Sequence, residues 1–239
     1  MDEPILSVEK VAKHFGGVVA LKEVSFDVQR GEVVGLMGPN GAGKTTLLNI
    51  ITGECASDSG RIRFKGQDIT GFPPHRISHL GIARTYQIPQ PFLSLTASEN
   101  LLVPSLFGRK VKKAVAELET AKIFDLVGLS DRKDTPALGL PILSLKKLEL
   151  ARALAHNPEV ILLDEVAAGS TEIEIPKILA ILQEIRRKGI TVILVEHVIK
   201  VMVHAVDRIV VLDKGIKISE GKPMAVMNEA KVIEAYFGA

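Results

Sequence analysis

The sequence predicts an α/β fold: a parallel central sheet, antiparallel strands ahead of it and a block of helices inserted between its strands. Three observations lead there. A glycine-rich turn, Gly38-Pro39-Asn40-Gly41-Ala42-Gly43-Lys44-Thr45-Thr46, follows the short apolar run Val33–Met37. A wholly apolar run, Val160–Leu163, reads as a central parallel strand, and Thr191–Val195 as the next buried strand. Between residues 88 and 157 the apolar spacing changes from that of strands to that of helices.

Composition sets the outer bounds. A chain of 239 residues with 46% hydrophobic content can bury one sizeable core, or a core with a subdomain. Thirty basic residues face 28 acidic ones, so nothing in the charge points to nucleic acid. The six histidines show no metal-ligand spacing. A single cysteine, Cys55, leaves no intramolecular disulfide and fits a reducing compartment. The opening Met1-Asp2-Glu3-Pro4 lacks the basic-then-apolar pattern of a signal peptide. The most apolar stretch, residues 191–206, is interrupted by Glu196, His197, Lys200 and His204, and is not a membrane span.

Taken in order, Ile5–Val11 and Val24–Val28 alternate like strands, the second closed by a turn at Arg30-Gly31. Gly38–Thr46 fits the pattern of a phosphate-cradling P-loop. Its glycines let the backbone turn N–H groups inward. Lys44 supplies a cation, and Thr45 offers a hydroxyl to Mg²⁺. The following helix is expected over Thr45–Thr52, its N-terminus favouring an anion. Arg61–Phe64 reads as an edge strand, Pro73-Pro74 opens a short helix through Leu80, and Ile82–Tyr86 reads as a strand. In the helical block, Thr96-Ala97-Ser98-Glu99 is a capping-box start. Helices are expected over Val111–Val127, stopped by Gly128, and over Lys146–His156, stopped by Asn157-Pro158. Beyond the block come a helix over Ile178–Lys188, a hairpin of Arg208–Leu212 with Ile216–Ser219, and a last helix over Pro223–Phe237.

Val160–Leu163 ends in Asp164-Glu165, carboxylates at the strand end where open α/β sheets bind ligands. Asp164 is placed to hold Mg²⁺ and Glu165 to polarise a water; the plainer reading is a solvated acidic pair.

With these motifs in order, the chain resembles the nucleotide-binding subunits of ATP-binding-cassette (ABC) transporters over nearly its whole length. The resemblance implies a P-loop NTPase (RecA-like) core in two parts, residues 1–87 and 158–239, with a helical subdomain at 88–157. It implies ATP and Mg²⁺ as ligands. Gly38–Thr46 matches the Walker A motif, Val160–Asp164 Walker B, and Glu165 the catalytic carboxylate. Phe15 stands where the family stacks an aromatic ring on adenine, Gln87 where a glutamine joins Mg²⁺ to the transmembrane partner, and His197 where a histidine meets the γ-phosphate. Plainer readings are core packing for Phe15, a strand cap for Gln87 and a satisfied core histidine for His197. Within the family, Gly81–Phe92, Leu95–Val103 and Val232–Gly238 are similar to the ATPases of branched-chain amino-acid importers. That similarity implies permease subunits as partners, a place on the inner face of the membrane, and no span in this chain. The alternatives are an ABC-type ATPase with no permease and a largely non-hydrolysing nucleotide-binding regulator.

One family element is missing. The Leu-Ser-Gly-Gly-Gln signature belongs before the helix bearing Leu148–Leu154, and Leu140-Pro141-Ile142-Leu143-Ser144 stands there. Ser144 reads as a helix N-cap, and Lys146 and Lys147 as solvated. Val166, Ser170-Thr171 and Val198 also depart from the family's usual residues beside Walker B and the histidine. Intact Walker motifs with no signature imply a heterodimer, in which a second ATP-binding subunit completes this chain's site.

Overall fold

A computed structural model describes residues 3–238. The chain runs β1 (Leu6–Phe15), β2 (Val18–Val28), β3 (Val33–Met37), α1 (Lys44–Ile51), β4 (Ser59–Phe64), β5 (Gln67–Asp68), α2 (Pro74–Leu80) and β6 (Ile82–Arg84). Then follow α3 (Ala97–Val103), a π turn (Pro104–Gly108), α4 (Lys113–Val127) and α5 (Ile142–Ala155). The chain closes with β7 (Val160–Asp164), α6 (Ile175–Arg187), β8 (Thr191–Val195), α7 (Ile199–Ala205), β9 (Arg208–Asp213), β10 (Ile216–Gly221), α8 (Pro223–Met227) and α9 (Ala230–Phe237).

Two sheets form. One is antiparallel, in the order β2-β1-β4-β5; the other runs β10-β9-β3-β8-β7-β6. In the second, β9, β3, β8, β7 and β6 are parallel neighbours and only β10 is antiparallel. The largely apolar central strands have a physical cause. Val34, Leu36, Leu162, Ile193 and Val195 face α1 and the antiparallel sheet. Val33, Met37, Ile161, Leu163, Val192 and Leu194 face a second core shared with helices including α3, α5 and α6. Both faces of each central strand are therefore dry, and alternation disappears. Because the strands are parallel, the chain leaves β3, β7, β8 and β6 along one edge.

Several expected boundaries move. β4 is not an edge strand, because Gln67-Asp68 pairs outside it. β6 stops at Arg84, where the chain turns out of the sheet. α5 begins at Ile142, four residues earlier than expected, behind an extended Pro141. Proline suits that position, since the N–H it lacks would have had no helical acceptor. The last helix divides in two at Asn228-Glu229. The Asn228 side chain donates to Met224 O at 2.6 Å, and Ser219 Oγ on β10 donates to the Glu229 carboxylate at 2.8 Å. These bonds hold Glu229 extended, at φ −70° and ψ 131°. The capping box forms as expected: Glu99 N–H donates to Thr96 Oγ1 at 3.1 Å, and Thr96 N–H to Glu99 Oε2 at 2.8 Å. Among the described residues, no helix is long and apolar enough to cross a membrane.

Candidate functional site

The loop after β3 is shaped by glycine. Gly38 adopts φ +148°, and a Cβ there would overlap Leu212 O on β9. Gly43, at φ +103°, caps α1 with its back against Ala20 O. Gly41, at φ +79°, faces open space, so backbone rather than side chain lines the concavity. The first N–H groups of α1 have no intrahelical acceptor by geometry, and they open toward the cleft.

Lys44 is buried and donates to Gly38 O at 2.6 Å and Pro39 O at 3.0 Å. Burial pushes its amine below the ordinary lysine value, while the charges of Glu165 and Asp164 pull it back up. A buried cation held only by two carbonyl oxygens retains most of its charge for an anion that enters.

One cleft gathers residues from the four strand ends. Asn40 to Thr46, Gln87, Asp164, Glu165 and His197 line it, together with Val18, Val19 and Ala20 of β2. Glu165 stands at its centre. Its carboxylate accepts from Gln87 Nε2 at 2.8 Å and lies 3.2 Å from His197 Nε2. The Glu165 backbone is left-handed at φ +52°, and its N–H donates to Val195 O at 2.9 Å. Among the seven described non-glycine residues with positive φ, Glu165 is the one that lines the cleft. Asp164 is buried and paired with Arg84 Nη2 at 3.1 Å, and Thr85 Oγ1 accepts its N–H at 3.0 Å. Burial raises the Asp164 carboxyl above the usual range, against the pull of Arg84.

The site residues foreseen from the sequence mostly converge. Gly38 and Pro39 shape the rear of the loop through their bonds to Lys44. Phe15 is outside the group: it is half exposed at the end of β1, with Lys13 Nζ 5.3 Å from its ring centre, and it does not line the cleft. Neighbouring Val18 and Val19 are the apolar residues that do. Ser144 is not an N-cap. It lies in the first turn of α5, which Pro141 caps without any side-chain bond. Lys146 is not simply solvated. It donates to Ala168 O at 2.6 Å and approaches Glu165 O at 3.5 Å, tying α5 to the loop after β7.

Sequence reasoning misses four supports. Arg84 holds Asp164, and Lys146 holds the carbonyls just described. Buried Glu196 accepts the Ala167 N–H at 2.5 Å. Burial raises its carboxyl, while hydrogen bonds from Ala167, His197 and Val198 pull it down. Tyr236 Oη accepts the Gly38 N–H at 2.7 Å. These are contacts across the fold, and no spacing in the sequence signals them.

The residues fit a nucleotide with a divalent cation. Among the described residues no group of three His, Cys, Asp or Glu side chains is placed to hold a metal ion by itself. The exposed Thr45 hydroxyl, Asp164 and Gln87 instead offer hard oxygen donors beside the phosphate loop, the partial set that Mg²⁺ takes when phosphate completes its shell.

Comparison with known proteins agrees. A family model described as ABC transporter matches residues 21–168, more than half of the chain. The Probable branched-chain amino acid transport ATP-binding protein LivG of Archaeoglobus fulgidus is 37% identical over 246 residues, 98% of this chain and 96% of that protein. A crystal structure of the ADP conformation of an ATP-binding cassette of an ABC transporter superposes with a TM-score of 0.88 at 35% identity, covering 100% of both chains. A dimeric cassette in a post-hydrolysis state with ADP and Pi gives 0.84 at 26% identity, covering 91% of this chain and 98% of that one.

Proposed function

Because the chain belongs to the ABC transporter family of ATPases, we propose that it is the ATP-hydrolysing subunit of an importer for branched-chain or related amino acids. It works through separate transmembrane permease subunits, at the inner face of the membrane. The observation that carries this reading is the Gln87–Glu165–His197 cluster at the mouth of the Lys44 loop.

Each side chain has a role its surroundings support. Lys44 and the loop amides hold the phosphates. Glu165 orients the attacking water and takes its proton, and His197 contacts the terminal phosphate. Thr45, Asp164 and Gln87 would hold Mg²⁺, which when bound neutralises charge building on the phosphate oxygens. Phe15, half exposed and paired across the β1–β2 turn with Val18 of the cleft wall, is the residue to stack on adenine.

Gln87 begins an exposed apolar segment. Ile88 is 75% exposed, and Phe92 and Leu93 are about half exposed. Beside it a groove runs between α2 and α5, walled by Tyr86, Phe92, Pro104 and Phe107. That surface supports a permease segment docking where it can feel Gln87, with residues 88–157 as the helical unit that carries the groove's far wall. Co-purification with membrane subunits tests this; a chain that never associates with any would leave an ABC-type ATPase without a permease.

The missing glycines at 140–144 favour a heterodimer. A second ATP-binding subunit would bring an intact signature to this chain's Lys44 and Glu165. Its own ATP would face Ile142 and Leu143. Single-turnover hydrolysis is expected to be slow for the isolated chain and fast with the partner ATPase. Rapid hydrolysis by the isolated chain overturns the heterodimer, and a largely non-hydrolysing regulator would stay slow in both settings.

A further inference from the structure

The last helix of the chain closes on the first functional loop. Tyr236, near the end of α9, places its hydroxyl oxygen 2.7 Å from the Gly38 N–H, across 198 residues of sequence. On the other side of the same residue, Gly38 O accepts from Lys44 Nζ at 2.6 Å. The two peptide planes that flank the Gly38 Cα are thus held from opposite ends, one by a phenol and one by the phosphate-binding ammonium. Behind the Cα stands Leu212 O, close enough to bar any side chain. Gly38 therefore sits among three contacts at φ +148°, a conformation open to glycine but not to a residue with a side chain.

The latch is anchored. Val232, one turn earlier on α9, is buried, and the Tyr236 ring packs on the core cluster that contains Val211 and Met37. The break at Asn228-Glu229 lets α9 turn independently of α8 onto this surface. Burial raises the Tyr236 phenol above its ordinary value, so the group is neutral and remains a hydroxyl at physiological pH.

We propose that Tyr236 is a positioning residue for the phosphate loop, a latch by which the C-terminal helix sets nucleotide affinity. Among the described residues it shares no hydrogen bond with Glu165, Gln87 or His197. Its influence is on how well the loop is formed before nucleotide arrives. When a phosphate draws Lys44 away from Gly38 O, the Tyr236 bond is what keeps Gly38 in place. The effect is preorganisation: removing the bond lets the empty loop sample other shapes, and binding must then order it. Affinity should fall while the chemical step is unchanged.

The inference rests on the loop being the ATP site. The test is Tyr236→Phe in the full chain, which removes one oxygen and keeps the ring. One hydrogen bond of ordinary strength corresponds to a rise of about fivefold in the Kd for ATP. In the assembled transporter the KM for ATP should rise similarly, with kcat within about twofold. A role limited to stability would lower Tm and leave Kd alone, which overturns the latch. A wild-type chain that fails to bind ATP overturns the proposed function instead. Amide exchange in the wild type gives a second reading that needs no variant. The Gly38 N–H should be protected without nucleotide, and rapid exchange there overturns the latch even if Tyr236→Phe does not fold.

Discussion

Two helices of this protein begin near exposed loops, and their first turns differ in what an anion would meet. α1 starts behind Gly43, with Gly41 ahead of it and no Cβ between the backbone and the cleft. α5 starts behind Pro141 with no side-chain cap, and its first residue, Ile142, is 61% exposed. Both helices offer the same partial charge and the same unpaired first-turn amides. The difference is approach. Around α1 a phosphate meets backbone and a buried ammonium; around α5 it meets isoleucine and leucine side chains. A helix dipole is therefore common to both regions, and glycine decides which one is usable. The α5 end acts on the site in another way, through Lys146, which reaches from it to the carbonyls of Ala168 and Glu165.

The largest effect expected on either side is at Glu165. Glu165→Gln keeps the size and the hydrogen bond to Gln87 but cannot take a proton from water. Hydrolysis in the assembled transporter should fall by about 10²–10⁴-fold, with the Kd for ATP within a few-fold of wild type. Retained hydrolysis would mean that the α1 region lacks the base assigned to it, and the contrast with α5 would lose its catalytic meaning.

The α1 side of this contrast is legible in the sequence because its chemistry is local. Gly38 to Thr46 are consecutive, Asp164 and Glu165 are adjacent, and the apolar runs before them identify the strands that bring them together. Parallel packing then makes strand ends meet, which is a rule about sheets rather than about this protein. The supports are not local. Arg84 meets Asp164 across 80 residues and Tyr236 meets Gly38 across 198. Which long side chain lands on which backbone atom depends on packing of the finished fold. The start of α5 was hidden for another reason: Ser144 is a good N-cap by type, but Pro141 three residues earlier already fixes an extended entry to the helix. The split of α8 from α9 depends on Ser219, on a different strand, reaching Glu229.

Lys146 tests whether the α5 region contributes through structure alone. Its ammonium holds Ala168 O and approaches Glu165 O, on the loop where Glu165 is left-handed. Lys146→Met keeps most of the stem and removes the charge. A loss of about tenfold in kcat is expected, from a carboxylate held less well in its productive direction, with little change in the KM for ATP. Lys146→Arg should recover part of the loss, because it restores a donor at similar reach. An unchanged kcat in Lys146→Met would leave α5 without influence on the site.

The smallest effect separates the regions most cleanly. At the N-terminus of α3 every early amide is satisfied: Ala97 N–H by Thr135 O, Ser98 N–H by Lys133 O, and Glu99 N–H by Thr96 Oγ1. Thr96→Ala removes the last of these acceptors and costs about 1 kcal/mol, a fall in Tm of about 2–4 °C for a chain of this size. Ala97 and Leu101 behind the cap belong to the core shared with α5, whereas Leu47 and Leu48 of α1 belong to the other. The sheet lies between them. If the two regions are energetically separate, Thr96→Ala should lower Tm and leave the Kd for ATP unchanged. A fall in affinity that accompanies the fall in Tm would mean that strain passes through the sheet, since packed strands buried on both faces are the continuous path from the α3 cap to the phosphate loop.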